Sequence, residues 1–386
     1  MKPGFKIAYL TSTDPENRHS WSGTHYFIYK VLQKKFETII AIGPYEPKFI
    51  LFLGKVRSKI SLLFLNKRYN YAHSKSVSRA YAKYFDDKIN SLKPDIIIAP
   101  SASSEIAHLK TKIPVVYISD STVNLSLNYH KALSKLFNFS KLESDQTEQA
   151  AINKASLVIL SSEWAASSVI NYYKKSANNV SVIPFGANIE NVPRKINLAE
   201  KPMAPVKLLF IGTYWESKGG EYAYNCMIAL LKNNINTELT VIGCLPPPEF
   251  NHPKLKVIPF INKNESDGQK QLIEFYSSSH FLILPTRFDC TPIVICEASA
   301  FGLPVLCSNT GGVAGHVKEN VNGFLIDFND TGKAFSLKII EILNTPGKYK
   351  NICISARALY ENELNWDKWS DSLEIKLKDL QLIPNR

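Results

Sequence analysis

Residues 280–304 read HFLILPTRFDCTPIVICEASAFGLP, and the order of elements within this stretch decides the fold. The run up to Pro285 is continuously apolar, as in a strand buried on both faces. A loop carrying Arg287 and Asp289 follows. Pro292 then opens a helix that should stop near Gly302, because proline is favoured at the first helical position, where its missing N–H would have been unpaired. This puts Thr291 at the N-cap, where its hydroxyl can bond an orphan amide. The amides of Ile293 and Val294 are left free, and together with the helix dipole they suit phosphate oxygens. Glu297 lies about a turn and a half inside the helix, and Asp289 precedes the first turn. Carboxylates suit sugar hydroxyls because they accept two hydrogen bonds from a vicinal diol. A plainer interpretation makes Asp289 a turn residue and Glu297 a helix residue paired with a lysine. Ile295, Cys296 and Ala298 around Glu297 imply partial burial, and a buried glutamate needs a partner.

Outward from this stretch, short apolar runs alternate with helical patterns. In the first half the expected strands are 5–10, 38–42, 95–99, 114–119, 156–161 and 180–184, with helical patterns at 23–35, 75–92, 142–154 and 163–175. In the second half the strands are 207–212, 238–243, 255–260, 280–285, 304–308 and 323–327. Strand–helix–strand succession predicts an α/β fold with parallel sheets covered on both faces. Residues 186–205, GANIENVPRKINLAEKPMAP, are polar and without periodicity, which predicts a linker. The expected domains are therefore 1–190 and 200–365. A terminal amphipathic helix begins at Trp366, with Trp366, Trp369, Leu373, Ile375 and Leu377 as its apolar positions.

Three further segments carry candidate chemistry. Residues 207–220, KLLFIGTYWESKGG, form a strand, a loop and two glycines opening a helix, with Lys218 beside the helix start. A cation there opposes the helix dipole. Either a bound anion or Glu216 and Glu221 would resolve the conflict. Residues 20–25, SWSGTH, place Gly23 at a strand-to-helix turn, where a glycine permits close backbone approach to a ligand; a plain turn capped by Thr24 is the alternative. Asp120, in the SDST run of residues 119–122, is either a cleft carboxylate or the N-cap of the next helix. His25, His108 and His130 could each line the cleft, but single histidines in helices are more often at the surface or capped; Glu163 with Trp164 fit a helix start.

These segments resemble the retaining GT-B glycosyltransferases, most closely family 4 (group 1). Asp289 and Glu297 fall on the two acidic positions of that family's acidic-x7-acidic motif, with Asp289 in place of the more usual glutamate. Residues 302–313, GLPVLCSNTGGV, and 184–189, PFGANI, also look like that family. The resemblance implies a GT-B fold of two Rossmann-like doubly wound domains facing across a cleft, with the helix of residues 366–386 packing back on the first. It implies that Glu297 binds the ribose of a sugar nucleotide and that Asp289 contacts the transferred sugar. The backbone around Cys290, Thr291, Pro292 and Ile293 would hold the diphosphate, and Gly23 would face the donor phosphate. Gly212 and Lys218 match the family's strand–Gly–Arg–loop–Lys–Gly motif, but Thr213 stands where its arginine usually is, and Arg287 is a candidate replacement. The histidine that many relatives carry near Ser119 is absent, which leaves Asp120 as the nearest titratable group. Lys218, Asp289 and Asp120 are thus the catalytic candidates. The implied reaction is hexose transfer from a nucleotide-diphosphate sugar to a saccharide or lipid-linked acceptor in envelope polysaccharide or glycolipid synthesis. No metal or other cofactor is expected, and the chain has no D-x-D triplet. A sugar-nucleotide epimerase, a sugar phosphorylase and a non-catalytic two-lobed binding protein are the alternatives.

Composition limits the partners. The 386 residues are 45% hydrophobic and 21% charged, which excludes a disordered chain. Net charge is +12, with 25 Lys and Arg against 14 Asp and Glu in residues 1–190, and 21 against 20 in the rest. Residues 48–93 hold eleven basic residues against Asp86 and Asp87, interleaved with FILFL and SLLFL. This pattern fits a segment lying on an anionic membrane, or a solvated helix pair. Nucleic acid is not an expected partner, since no nucleic-acid motif accompanies the charge. No signal-peptide core and no bilayer-spanning run is read, so a cytoplasmic protein, peripheral at the inner membrane face, is expected. The six cysteines all follow residue 225 without a C-x-x-C pair, which predicts reduced, mostly buried thiols.

Overall fold

The computed structural model describes residues 5–127, 129, 133–194, 196 and 203–384. His130 and, in the expected linker, positions 195 and 197–202 lie outside the described residues. The chain divides into two units, Met1–Ile183 with Ser370–Arg386, and Pro184–Trp369.

The first unit holds strands β1 (Lys6–Tyr9), β2 (Thr38–Ala41), β3 (Ile96–Pro100), β4 (Val115–Ser119), β5 (Leu157–Leu160) and β6 (Val180–Val182). They form a parallel sheet in the order β2-β1-β3-β4-β5-β6. Its helices are α1 (Thr24–Lys35), α2 (Lys48–Leu65), α3 (Lys75–Leu92), α4 (Ser103–Ile106), α5 (Val123–Leu127), α6 (Asn138–Lys154) and α7 (Glu163–Asn171). Every residue of β3, β4 and β5 is buried, whereas edge strands β2 and β6 are only partly covered. This is why the central strands read as unbroken apolar runs. Alternate residues Ala8, Ile97, Val115 and Val158 turn to one face and pack with Val77, Tyr81, Phe85 and Ile89 of α3.

The second unit holds β7 (Val206–Ile211), β8 (Thr237–Ile242), β9 (Leu255–Ile258), β10 (Phe281–Leu284), β11 (Val305–Ser308) and β12 (Gly323–Ile326), ordered β12-β11-β10-β7-β8-β9 and again parallel. Its helices are α8 (Trp215–Lys218), α9 (Gly220–Lys232), α10 (Ser266–Ser278), α11 (Ile293–Ala300), α12 (Lys333–Asn344) and α13 (Lys348–Asn362). One sheet face packs Leu208, Phe210 and Ile283 against α9 and α12, and the other packs Leu209, Leu282 and Leu284 against α10 and α11. The final helix, α14 (Trp366–Asp379), contributes its first residues to this unit and those from Ser370 onward to the other.

All twelve expected strands are present within two residues of their expected ends. Three local expectations are corrected. Helix α7 stops at Asn171 rather than 175, because Lys174 takes a left-handed φ of 59°. Ile375 of α14 is exposed (58%), since the buried stripe Trp366, Trp369, Leu373, Leu377 runs at helical period and leaves position 375 on the far side. Residues 184–189, expected to close the first domain, lie in the second unit: the Ala187 amide donates to the Leu364 carbonyl, and the Phe185 ring lies tilted against Trp366, centres 5.6 Å apart. In each sheet the strand order reverses once, between β1 and β3 and between β7 and β10. Such switch points are where open parallel sheets receive ligands, outside the carboxyl ends of the strands.

Candidate functional site

Lys218, the last residue of α8, and Asp289, in the loop before α11, lie in the connections that leave β7 and β10, the two strands at the second unit's switch point. They form an ion pair between Lys218 Nζ and Asp289 Oδ2. The neutralisation of Lys218 by Glu216 or Glu221 is therefore not what the structure shows. Two glycines make the pairing possible. A Cβ on Gly212 would stand 2.7 Å from Cγ of Lys218, so the bare backbone lets the lysine stem pass. Gly219 has φ +75°, and a Cβ there would fall 1.9 Å from the Pro285 carbonyl oxygen. The loops are further stitched together by the Ser217 carbonyl, which accepts from the Arg287 amide at 2.8 Å and the Thr286 hydroxyl at 3.3 Å. The amide of Gly312 donates to the Asp289 carbonyl at 3.1 Å, so the TGG turn of residues 310–312 fixes the same loop. Below the pair, burial and the Asp289 charge push the Cys307 thiol well up, with Lys218 acting against them.

Helix α11 begins beside this pair. It is buried at every position but Val294, which accounts for an apolar sequence without a polar face. Its N-cap is Pro292, with ψ 89°, so the helix opens one residue later than expected and Thr291 precedes the cap. The first helical bond runs from the Ile295 amide to the Pro292 carbonyl at 2.9 Å. Among the described residues, the amides of Ile293 and Val294 meet no backbone acceptor. The helix ends in a Schellman turn at Gly302, whose φ is 59°: the Leu303 amide bonds the Ala298 carbonyl and the Gly302 amide the Ser299 carbonyl.

Glu297 is 1% exposed. Tyr276 of α10 donates to its Oε2 at 2.5 Å, and Lys263 Nζ lies 3.2 Å from its Oε1. The lysine-paired arrangement is thus realised, with a tyrosine added. Burial and the Glu297 charge hold the Tyr276 hydroxyl well above its ordinary value, so it stays a donor. Arg287 follows a different rule. Its guanidinium lies 3.5 Å from the ring centre of Phe328 and 4.9 Å from that of Tyr222, and Nη1 is buried with no hydrogen-bond partner among the described residues. Thr213 is exposed. Sequence reasoning missed Lys263, Tyr276, Tyr222 and Phe328. Only Tyr276 carried a signal, one helical turn from Leu272 on the buried stripe of α10.

In the first unit, Gly23 is the N-cap of α1 with φ 93°, and Trp21 and Ser22 before it also take left-handed conformations. Thr24 is therefore the first helical residue and not the cap. The two non-glycine residues, Trp21 and Ser22, store backbone strain just before α1. The Trp21 indole donates to Asp120 Oδ2 at 3.2 Å, which brings the two candidate loops together. Asp120 does not cap α5, because Thr122 takes that role through the Leu125 amide at 3.3 Å. Ser162, not Glu163, caps α7. His25 is buried against the Tyr9 hydroxyl at 3.1 Å, and burial lowers it to about 4, so it stays neutral. His108 bonds Ser78 at 2.8 Å. None of the six cysteines is in a disulfide; five are buried and Cys290 is partly exposed.

Comparison with known proteins follows this geometry. Residues 191–359 match the family described as glycosyl transferases group 1. The chain is 21% identical over 252 residues to D-inositol 3-phosphate glycosyltransferase of Thermobifida fusca, covering 60% of this chain and 57% of that protein. It is 26% identical over 162 residues to UDP-Gal:alpha-D-GlcNAc-diphosphoundecaprenol alpha-1,3-galactosyltransferase of Escherichia coli, covering 39% of this chain and 42% of that protein. The chain thus spans about half the length of these curated relatives. The structure of sucrose-phosphate synthase from Thermosynechococcus elongatus superposes with a TM-score of 0.69 at 15% identity, over 98% of this chain and 99% of that one.

Proposed function

With a glycosyl transferases group 1 domain at residues 191–359 and the GT-B fold along the chain, we propose that this protein moves a hexose from a nucleotide-diphosphate sugar to an acceptor hydroxyl, with anomeric configuration retained. The observation that carries this is the Lys218–Asp289 pair at the switch point, beside the free amides of α11. Departure of the sugar concentrates negative charge on the diphosphate. Lys218, Arg287 and the amides of Ile293 and Val294 offset that charge where it develops. Thr213, Cys290, Thr291 and Pro292 complete the assigned diphosphate loops. Asp289 accepts hydroxyls of the transferred hexose. Glu297 accepts the ribose diol, since a carboxylate has about four lone-pair sites and Tyr276 with Lys263 use two of them. Gly23 and Asp120 remain the assigned contributors of the first unit. Because side chains and backbone supply the charge, no metal is invoked, and transfer in excess chelator should equal that without it.

The Escherichia coli relative is named for a UDP-linked donor and an undecaprenol-linked acceptor. A saccharide or lipid-linked acceptor, used at the cytoplasmic face of a membrane in envelope polysaccharide or glycolipid synthesis, is the corresponding proposal here. The decisive experiment offers labelled UDP-, GDP- and ADP-sugars with and without saccharide acceptors and reads the anomeric configuration of the product by NMR. Transfer from one donor with retention is the expected result. Hydrolysis or isomerisation without transfer, or no nucleotide raising the melting temperature, would sink the proposal.

A further inference from the structure

Helix α2 has two unlike sides. Gly54 is buried, and a Cβ there would stand 2.4 Å from Tyr71 Cβ, so this side is fastened to the first unit. Ile50 and Leu51 pack on that unit's core. At about 3.6 residues per turn, Phe49, Phe52, Val56, Ile60 and Leu63 fall on the opposite side. Phe49 is 74% and Leu63 78% exposed. The same spacing puts Lys48, Lys55 and Lys59 along one edge of this apolar stripe and Arg57 along the other. No acidic residue occurs between Glu46 and Asp86. The surface continues beyond the helix: the Arg68 amide bonds the Lys135 carbonyl, and Tyr69 packs on exposed Phe139.

A rigid helix that turns phenylalanines and leucines to water lacks its partner. A second copy of the chain fits poorly, since pairing two such faces would bring lysine rows together without a carboxylate between them. Nucleic acid would leave the apolar stripe unused. An anionic bilayer satisfies both features, because the stripe enters the acyl boundary while the lysine stems follow it and their ammonium groups reach lipid phosphates. We propose that α2 is a lipid-docking helix that lies in the surface of an anionic membrane. Of the function proposed above, this rests only on the location at a membrane face.

The test is flotation of the full chain with vesicles of phosphatidylcholine, alone or mixed with phosphatidylglycerol. Binding to the mixed vesicles that weakens with salt is expected. Lys55→Glu/Lys59→Glu should weaken it at least about tenfold, from roughly fivefold per lysine at an anionic surface. Phe52→Ser/Leu63→Ser should weaken it as much, at low and high salt. Both variants alter exposed positions, so unchanged melting curves are expected to accompany the loss. Absence of wild-type binding, or full binding by the Phe52→Ser/Leu63→Ser variant, overturns the proposal. So does a wild-type dimer in sedimentation that this variant dissolves, since it would assign the face to a second copy. Transfer to a soluble acceptor, read in the same preparations, should be unchanged in both variants. Vesicle binding without transfer from any donor would support the docking helix and overturn only the catalytic proposal.

Discussion

Lys218 reaches Asp289 because position 212 carries no side chain. Gly212→Ala should therefore displace the lysine by crowding its Cγ. We expect kcat/KM to fall roughly tenfold, a share of the 2–4 kcal/mol that a charge-stabilising contact typically supplies, with the melting temperature nearly unchanged. Lys218→Ala should lose the larger part, about 30- to 1,000-fold in kcat, and equal turnover in that variant would remove Lys218 from the site. Tyr276→Phe tests the other carboxylate. It removes a 2.5 Å bond to a buried acceptor, which should cost about 1–3 kcal/mol of stability by urea titration. Donor KM should rise more than kcat falls if Glu297 meets the ribose. Asp289, Glu297 and Lys218 were singled out in the sequence by their resemblance to the motifs of family 4. Their partners were not, because Lys218 and Asp289 are 71 positions apart, and nothing local in the polar run of residues 262–267 marks Lys263 as the cation that reaches Glu297.

At the scale of elements, the turn between α8 and α9 lies close against the end of β10. Gly219 is left-handed and lies against the Pro285 carbonyl. Gly219→Ala combines backbone strain with a collision against main chain, and should destabilise the second unit by on the order of 2–4 kcal/mol. A urea midpoint equal to that of the wild type would show that the loops separate freely. Strands were easy to read because central parallel strands are apolar at every position. Helix starts were harder. Pro292 looked like a first helical residue and is a cap, and Gly23 rather than Thr24 caps α1, because a cap depends on one backbone angle that composition does not fix. In α2 the same apolar and basic residues served equally for a membrane face and a solvated pair. The exposure of its apolar side is the observation on which the proposal of a membrane face rests, and the vesicle experiment decides between the two.

Over the whole molecule, buried titratable groups set opposing responses to pH. Burial lowers His25, His73 and His316 each to about 4. Their contribution to stability is complete above about 6.5 and is lost as pH falls toward 4. Burial raises Glu148 to about 7, against hydrogen bonds from Ser103 and Tyr117. Its contribution is complete below about 4.5 and is lost as pH rises through 7. Glu148→Gln should therefore gain on the wild type by on the order of 3 kcal/mol between those limits. Urea titrations of both proteins across that range check this, and parallel curves would contradict it. Among the described residues no helix is long and apolar enough to cross a membrane.

Cys290 is the partly exposed thiol of the six, and it lies between Asp289 and Thr291 at the mouth of α11. A maleimide dye applied to the folded protein should consequently mark one position without any engineering. On the function proposed above, a nucleotide at that spot should shield this thiol and slow the labelling, and an unchanged labelling rate would count against it.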